Sequence, residues 1–256
     1  MGISGTEVSK EAADIVLLND SFSTIVTTVK WGRGIYENFK RFIQFQLTVN
    51  VASVAIIFLC TVIGLFTAFE NPFNALDLLW INIIMDGPPA LTLGLEPIRD
   101  DLMKRKPTAR GESIVSAEMM VKIAVNGIFM CVVCLAQKQW NFLGIPMEGE
   151  NAEEVSNTVI FTLFVLFQLF NAFNCRELGD RSVFPNFFRN KLMLVAFVAA
   201  FALQVVITQF AGPVFDTVPL GILDWVKIVA LAFSVILLDE AIKLVRRAAG
   251  KSKANG

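Results

Sequence analysis

Hydrophobic positions in this chain fall into six runs near twenty residues long, at about 46–69, 76–96, 115–136, 156–175, 190–211 and 220–243. Each is long enough to cross the ~30 Å hydrocarbon core of a bilayer as a helix. The residues before 46 are mixed and polar, unlike the short apolar core of a secretory leader. Composition agrees with this pattern. The 256 residues are 55% hydrophobic, with a mean hydropathy of +0.61. The expectation is an all-α polytopic membrane protein with six transmembrane helices.

The net charge of −1 decides nothing, but its distribution predicts an orientation. Basic residues gather before the first run (Lys30, Arg33, Lys40, Arg41) and between 97 and 113 (Arg99, Lys104, Arg105, Lys106, Arg110). They recur between 176 and 191 (Arg176, Arg181, Arg189, Lys191) and in the tail (Lys243, Arg246, Arg247, Lys251, Lys253). The alternate loops are nearly bare. Lys138 is the only basic residue from 137 to 155, beside Glu148, Glu150, Glu153 and Glu154. The positive-inside rule then puts both termini in the cytoplasm. The basic clusters read as topology signals and anionic-lipid contacts, with no nucleic-acid signature.

Four cysteines (Cys60, Cys131, Cys134, Cys175) sit in or beside apolar runs. Cys131-x-x-Cys134 lacks polar ligand company and the chain has no histidine, so helix packing is expected rather than a soft-metal or redox site.

The second run carries the candidate chemistry. Leu78 to Pro97 reads LLWINIIMDGPPALTLGLEP, with Asn82, Asp86, Gly87, Pro88 and Pro89 near its middle. A carboxylate at membrane depth is costly without a partner and marks a functional site by default. Asn82 and Asp86 are four apart, hence on one helical face. Pro88 and Pro89 have no N–H to offer the carbonyls of Ile84 and Met85, and such freed backbone survives at depth only inside protein or along a cavity. Carboxylate, amide oxygen and loose carbonyls suit a hard cation. The alternative is a proline-kinked helix whose Asp86 pairs with a neighbour for packing. In the first run Asn50 and Ser53 share a face and could add oxygens to this cluster, or serve helix–helix contact.

Residues 1–30 are soluble in character. Gly2 and Gly5 flank a turn, Thr6 through Ala13 reads as a short helix, and Asp14 to Leu18 has the apolar run of a buried strand. Asn19-Asp20-Ser21 then caps another short helix. About thirty residues cannot bury a core alone, so this stretch reads as the last piece of a larger α/β domain. Residues 31–45 (WGRGIYENFKRFIQF) have Ile35, Phe39, Phe42 and Ile43 at helical spacing and run into the first span without a breaker. One long helix over 31–69 is expected. It would carry motion between a soluble domain and the bilayer, or anchor the chain at the interface.

These residues carry a resemblance. Met1-Gly-Ile-Ser-Gly-Thr-Glu-Val-Ser-Lys-Glu-Ala-Ala-Asp14 resembles the end of the phosphorylation domain of P-type cation-transporting ATPases. Phe45-Gln-Leu-Thr-Val-Asn50 and Leu79-Trp-Ile-Asn-Ile-Ile-Met-Asp86 resemble the fifth and sixth membrane helices of calcium pumps, more closely the plasma-membrane type than the sarcoplasmic-reticulum type. Gln168-Leu-Phe-Asn171 and Phe188-Arg-Asn190 extend the likeness over nearly the whole chain.

The resemblance implies a C-terminal fragment of such a pump. It divides the chain into a phosphorylation-domain remnant (1–30), a stalk helix (31–45), a six-helix transmembrane domain with a cation site (46–247) and a short cytoplasmic tail (248–256). The phosphorylated aspartate, nucleotide-binding domain and first four membrane helices would lie upstream, so no catalytic or cofactor-binding residue is expected here. ATP and Mg²⁺ belong to the full pump only. By position, Asn82 and Asp86 fall on the sixth-helix calcium ligands and Asn50 on the fifth-helix asparagine. Ser53 stands where the two-site type has a glutamate, and Met85 where it has a threonine; a thioether is a poor ligand for a hard cation. A single Ca²⁺ site is implied, with the missing fourth-helix glutamate to complete it. Glu177 reads as a solvated loop charge. The expected partners are the lipid bilayer and the upstream part of the pump. The expected location is the cell membrane, and the tail is too short for a calmodulin-binding helix. Two alternatives remain: a stand-alone channel or assembly partner without ATP chemistry, or a pump for Mn²⁺ or another cation.

Overall fold

The computed structural model describes residues 5–254 apart from Leu18, Asp20, Ala68, Arg110, Glu148, Gly149 and Glu150, with side chains described through Ala249. Expectations placed on Gly2 and on these excluded positions lie outside the described residues.

No proline interrupts residues 22–64, and they form one helix, α2 (Phe22–Gly64), of 43 residues. At 1.5 Å per residue it is about 65 Å long, twice what a bilayer crossing needs. The expected long helix is therefore present but shifted. It starts at Phe22, absorbing the separate short helix expected there, and ends at Gly64 instead of 69. Before it, α1 (Glu7–Glu11) is capped by Thr6, whose hydroxyl accepts from the amide of Ser9 at 3.3 Å.

The strand expected at 14–18 does not form in its described part. Residues 14–17 are irregular, and Ile15 and Val16 are exposed. A strand needs a neighbour to take its N–H and C=O groups, and among the described residues there is no strand to supply one.

The second apolar run divides into α3 (Ala75–Trp80), a π-helical segment (Ile81–Met85) and α4 (Gly87–Gly94). The remaining runs give α5 (Ala117–Trp140), α6 (Ala152–Cys175), α7 (Lys191–Phe210), the short α8 (Gly212–Phe215) and α9 (Ile222–Ala254). Polar caps set two of the starts: Ser116 accepts from the amide of Met119 at 3.2 Å, and Asn190 from that of Met193 at 3.0 Å. Helices α2, α5, α6 and α7 are each long and apolar enough to cross a membrane.

Helix α6 is the hub, with every residue from Thr158 to Cys175 buried. Helices α2, α5, α7 and α9 all pack on it. Its phenylalanines interlock with α7 and α9, Phe170 lying 5.4 Å from Phe197 and 5.6 Å from Phe233, and Phe173 stacks at 4.3 Å on Phe187 of the segment before α7. Helix α5 also lies close along α2, because Gly127 leaves room. A Cβ there would sit 3.2 Å from Val51 Cγ1 and 3.7 Å from the Ala52 nitrogen. Outside this core, Val54, Phe58, Leu91 and Val195 are exposed, which suits a surface that meets an apolar phase.

The basic segments gather at one end of the bundle, as their alternation predicts. Arg33 reaches the carbonyls of Leu102 and Arg105, Arg99 meets Glu177, and Arg246 meets Glu118.

Candidate functional site

The break in the second run is built by local backbone chemistry. The Asp86 amide donates to the Ile81 carbonyl at 2.9 Å, five residues back, which widens the helix by one residue per turn. Gly87, Pro88 and Pro89 then form the first turn of α4, where a missing N–H costs nothing. The prolines thus restart a helix rather than kink one. The carbonyls of Ile84 and Met85 face positions without N–H, as expected.

Asp86 lies at this junction. It is 1% exposed, and neither carboxylate oxygen has a hydrogen-bond partner. Unpaired carboxylate oxygens in a dry interior are among the most expensive groups a fold can hold. The packing alternative required a neighbouring partner for Asp86, and among the described residues there is none.

The other expected ligands stand differently. Asn82 is exposed, and its Nδ2 donates to the Leu78 carbonyl at 2.8 Å, one turn back. Asn82 lies within the π-helical segment and is exposed, whereas Asp86, just after it, is buried. Asn50 is exposed on α2, while Ser53 is buried with its hydroxyl donating to the Asn50 carbonyl at 3.2 Å. Met85 is fully buried and Ile84 half-buried. Among the described residues no group of three or more Asp, Glu, His or Cys could hold a metal. Any cation bound at the break would rely on Asp86 with neutral oxygens.

A second set of residues ties this region to the basic end. Arg176 is 2% exposed and grips Glu96 in a fork, Nε to Oε2 at 3.0 Å and Nη2 to Oε1 at 2.8 Å. Asn190 adds a bond to Glu96 Oε2 at 2.9 Å and one to the Thr92 carbonyl at 3.2 Å. On the other side, Asn38 of α2 donates to the carbonyls of Gly94 and Glu96 at 3.0 and 2.8 Å, and Arg41 donates to that of Arg176 at 2.9 Å. The end of α4, the middle of α2 and the end of α6 are therefore joined in one buried network. Burial pushes the Arg41 guanidinium below its usual range despite the opposing charge of Glu37.

Two sequence expectations need correction here. Glu177 is not a solvated loop charge. It is 2% exposed and accepts from Arg99 at 2.5 Å, and although burial opposes it, this pairing raises the Arg99 pKa. The basic residues between 97 and 113 are also more than topology and lipid signals. Arg105 pairs with Glu37 and Asp101, and Lys30 with Asp100, so they fasten this segment to α2. Their partners are 68 or more positions away for Glu37 and Lys30, beyond any local pattern.

Sequence reasoning also passed over Glu96, although a glutamate ending the same run as Asp86 was a readable signal. Further amides are buried in the bundle interior. Asn126, Gln168 and Asn171 each keep an oxygen without a partner, and the i, i+3 spacing of the last two puts them on one face of α6.

The fold and this site together define a multi-pass helical membrane protein with a discontinuous, carboxylate-bearing helix. Comparison with known proteins places it further. Residues 70–245 match the family described as cation transporting ATPase, C-terminus, and the chain belongs to that family. It is 36% identical over 254 residues to a probable calcium-transporting ATPase 8, plasma membrane-type, of Oryza sativa subsp. japonica, covering 99% of this chain and 25% of that protein. It is 41% identical over 232 residues to calcium-transporting ATPase 12, plasma membrane-type, of Arabidopsis thaliana, covering 91% of this chain and 22% of the relative. It is 38% identical over 258 residues to calcium-transporting ATPase type 2C member 2 of Rattus norvegicus, covering 100% and 26%. These bear out the resemblance to calcium-transporting ATPases. The chain spans about a quarter of the length of these relatives.

Proposed function

We propose that this chain is the C-terminal membrane part of an ATP-driven calcium pump of the cell membrane, with both termini in the cytoplasm. Asp86, with Asn82, Asn50 and the backbone carbonyls at Ile84 and Met85, supplies ligands of a single intramembrane Ca²⁺ site. The observation that carries this reading is the buried Asp86 carboxylate, partnerless at a helix break. A divalent ion offsets the cost of that charge, and neutral oxygens complete its shell. Ser53 is a weaker candidate, because its hydroxyl is engaged with the Asn50 carbonyl.

In the complete pump, ATP with Mg²⁺ would act in the upstream domains, and α2 would carry their motion to the site. The fastening of α2 to the end of α4 through Asn38, and to the 97–113 segment through Arg33 and Arg105, supports a coupled movement of these elements. The test is reassembly. This chain, fused to the N-terminal three quarters of a plasma membrane-type relative, should restore ATP-dependent ⁴⁵Ca²⁺ uptake into membrane vesicles. A correctly inserted fusion that phosphorylates without calcium and moves no calcium would contradict the reading.

A further inference from the structure

Helix α7 and its N-cap Asn190 hydrogen-bond the second apolar run on both sides of its break. Before the break, Trp80 closes α3 and directly precedes the π-helical segment. Its indole Nε1 donates to Gln204 Oε1 at 3.1 Å. Gln204 is fully buried, and its Nε2 donates to Thr208 Oγ1 at 3.4 Å. Thr208 in turn shares a hydrogen bond at 3.3 Å with Thr162 of α6, and both hydroxyls are buried. The Gln204 amide is thus held from behind with its carbonyl oxygen facing Trp80. The Trp80 ring also meets Phe215 of α8 edge-on, at 5.7 Å.

After the break, Asn190 donates to the Thr92 carbonyl of α4 and to Glu96. The two halves of the run are therefore pinned to one straight helix, at Trp80 and at Thr92. The pins constrain the turn between them. A π-helical turn holds one residue more than an α-helical one. If the Asp86 amide returned to the Asn82 carbonyl, four residues back, the halves would rotate against each other by about 100° and shift by about 1.5 Å along the axis. Trp80 and Thr92 could not then both face α7. The buried Gln204 oxygen and the indole N–H would lose their partners, a cost that opposes the α-helical register.

We propose that α7 is a splint across the break, and that Gln204 and Trp80 are positioning residues for the cation site. They hold the π-helical register that turns Asp86 into the interior, and act on the ion only through the orientation of that carboxylate. The assignment rests on the reading that Asp86 binds the transported cation. It adds to that reading two residues on the far side of the π-helical segment, one of them on a different helix.

Two readouts test this. In the full chain in lipid nanodiscs, nitroxide labels at Leu76→Cys and Leu95→Cys flank the break. Both positions are exposed, and the four native cysteines are buried. The labels stand about 28 Å apart along the helix, within reach of pulsed electron–electron resonance. Without further substitution the pair should give one narrow distance distribution. Gln204→Leu removes the acceptor, and Trp80→Phe removes the donor while keeping a ring against Phe215. Each should shift or broaden the distribution, and the double variant should go no further than the stronger single one. In the reassembled pump the same variants should weaken the calcium midpoint for phosphorylation about three- to tenfold, the range of one hydrogen bond's net contribution, again without adding. If Gln204→Leu does not fold, Trp80→Phe decides. Unchanged distances in the folded variants, or shifted distances with an unchanged calcium midpoint, would overturn the proposal. The distance needs no calcium, so failure of the splint is told apart from failure of the site, which an unchanged midpoint in Asp86→Asn would show.

Discussion

Arg176→Met tests the buried network that joins α2, α4 and α6. The substitution keeps much of the side-chain volume and removes the guanidinium. Glu96, 4% exposed, would then keep only the Asn190 amide, and the Phe187 carbonyl would lose its donor at 2.8 Å. Removing one partner of a buried pair costs about 3–5 kcal/mol, because the remaining charge is uncompensated. Replacing both partners by apolar groups is far cheaper, since no charge is left behind. Arg176→Met should therefore destabilise the chain by about 3–5 kcal/mol, and adding Glu96→Leu should recover at least half of that. Reversible unfolding in mixed micelles, followed by tryptophan fluorescence, measures both. A single-variant cost below about 1 kcal/mol, as for an exposed pair, or no recovery in the double variant, would refute the reasoning.

Gly127→Val should loosen the α2–α5 contact at a cost of about 1–3 kcal/mol in the same assay, because a Cβ already meets Val51 Cγ1 at 3.2 Å; a neutral outcome would show that Val51 can move aside. At Asp101, partial burial works against ionisation, but hydrogen bonds from Arg105 and Arg181 outweigh it and hold the carboxyl below the usual carboxylate range. A depressed value means that this contribution is present above the unfolded pKa of about 3.9 and is lost as pH falls through the folded value. Protease cleavage within 97–113 should rise below about pH 4 in wild type and show a weaker pH dependence in Asp101→Asn. The chain alone, incubated with labelled ATP and calcium, should form no acid-stable phosphoenzyme, since residues 1–256 contain no phosphate-cradling loop or acceptor aspartate motif; a labelled band at its mass would contradict this.

The helices were legible in the sequence because bilayer-length apolar runs need little else to specify them. Alternating basic loops likewise foretold which segments share an end. The break was legible too, since Pro88 and Pro89 remove two specific N–H groups. Its form was not: the π-helical segment depends on the Asp86 amide choosing the Ile81 carbonyl, which no residue pattern announces. Glu177 was misread because a charge near a helix end looks solvated, while its partner Arg99 is 78 positions away. The apolar run at Asp14–Leu18 reads as a strand, yet strand formation depends on a neighbour that the described residues do not supply.

The central claim is that Asp86 holds the transported calcium. Asp86→Asn keeps the shape and removes the charge, and neutral oxygens alone leave a divalent ion under-compensated. In the reassembled pump, the calcium midpoint for phosphorylation from ATP should weaken at least 10²-fold, about 2.7 kcal/mol at 1.36 kcal/mol per decade. Ser53→Ala, titrated beside it, should shift far less. A calcium midpoint unchanged in Asp86→Asn, with only yield or folding reduced, would remove Asp86 from the site and contradict the account.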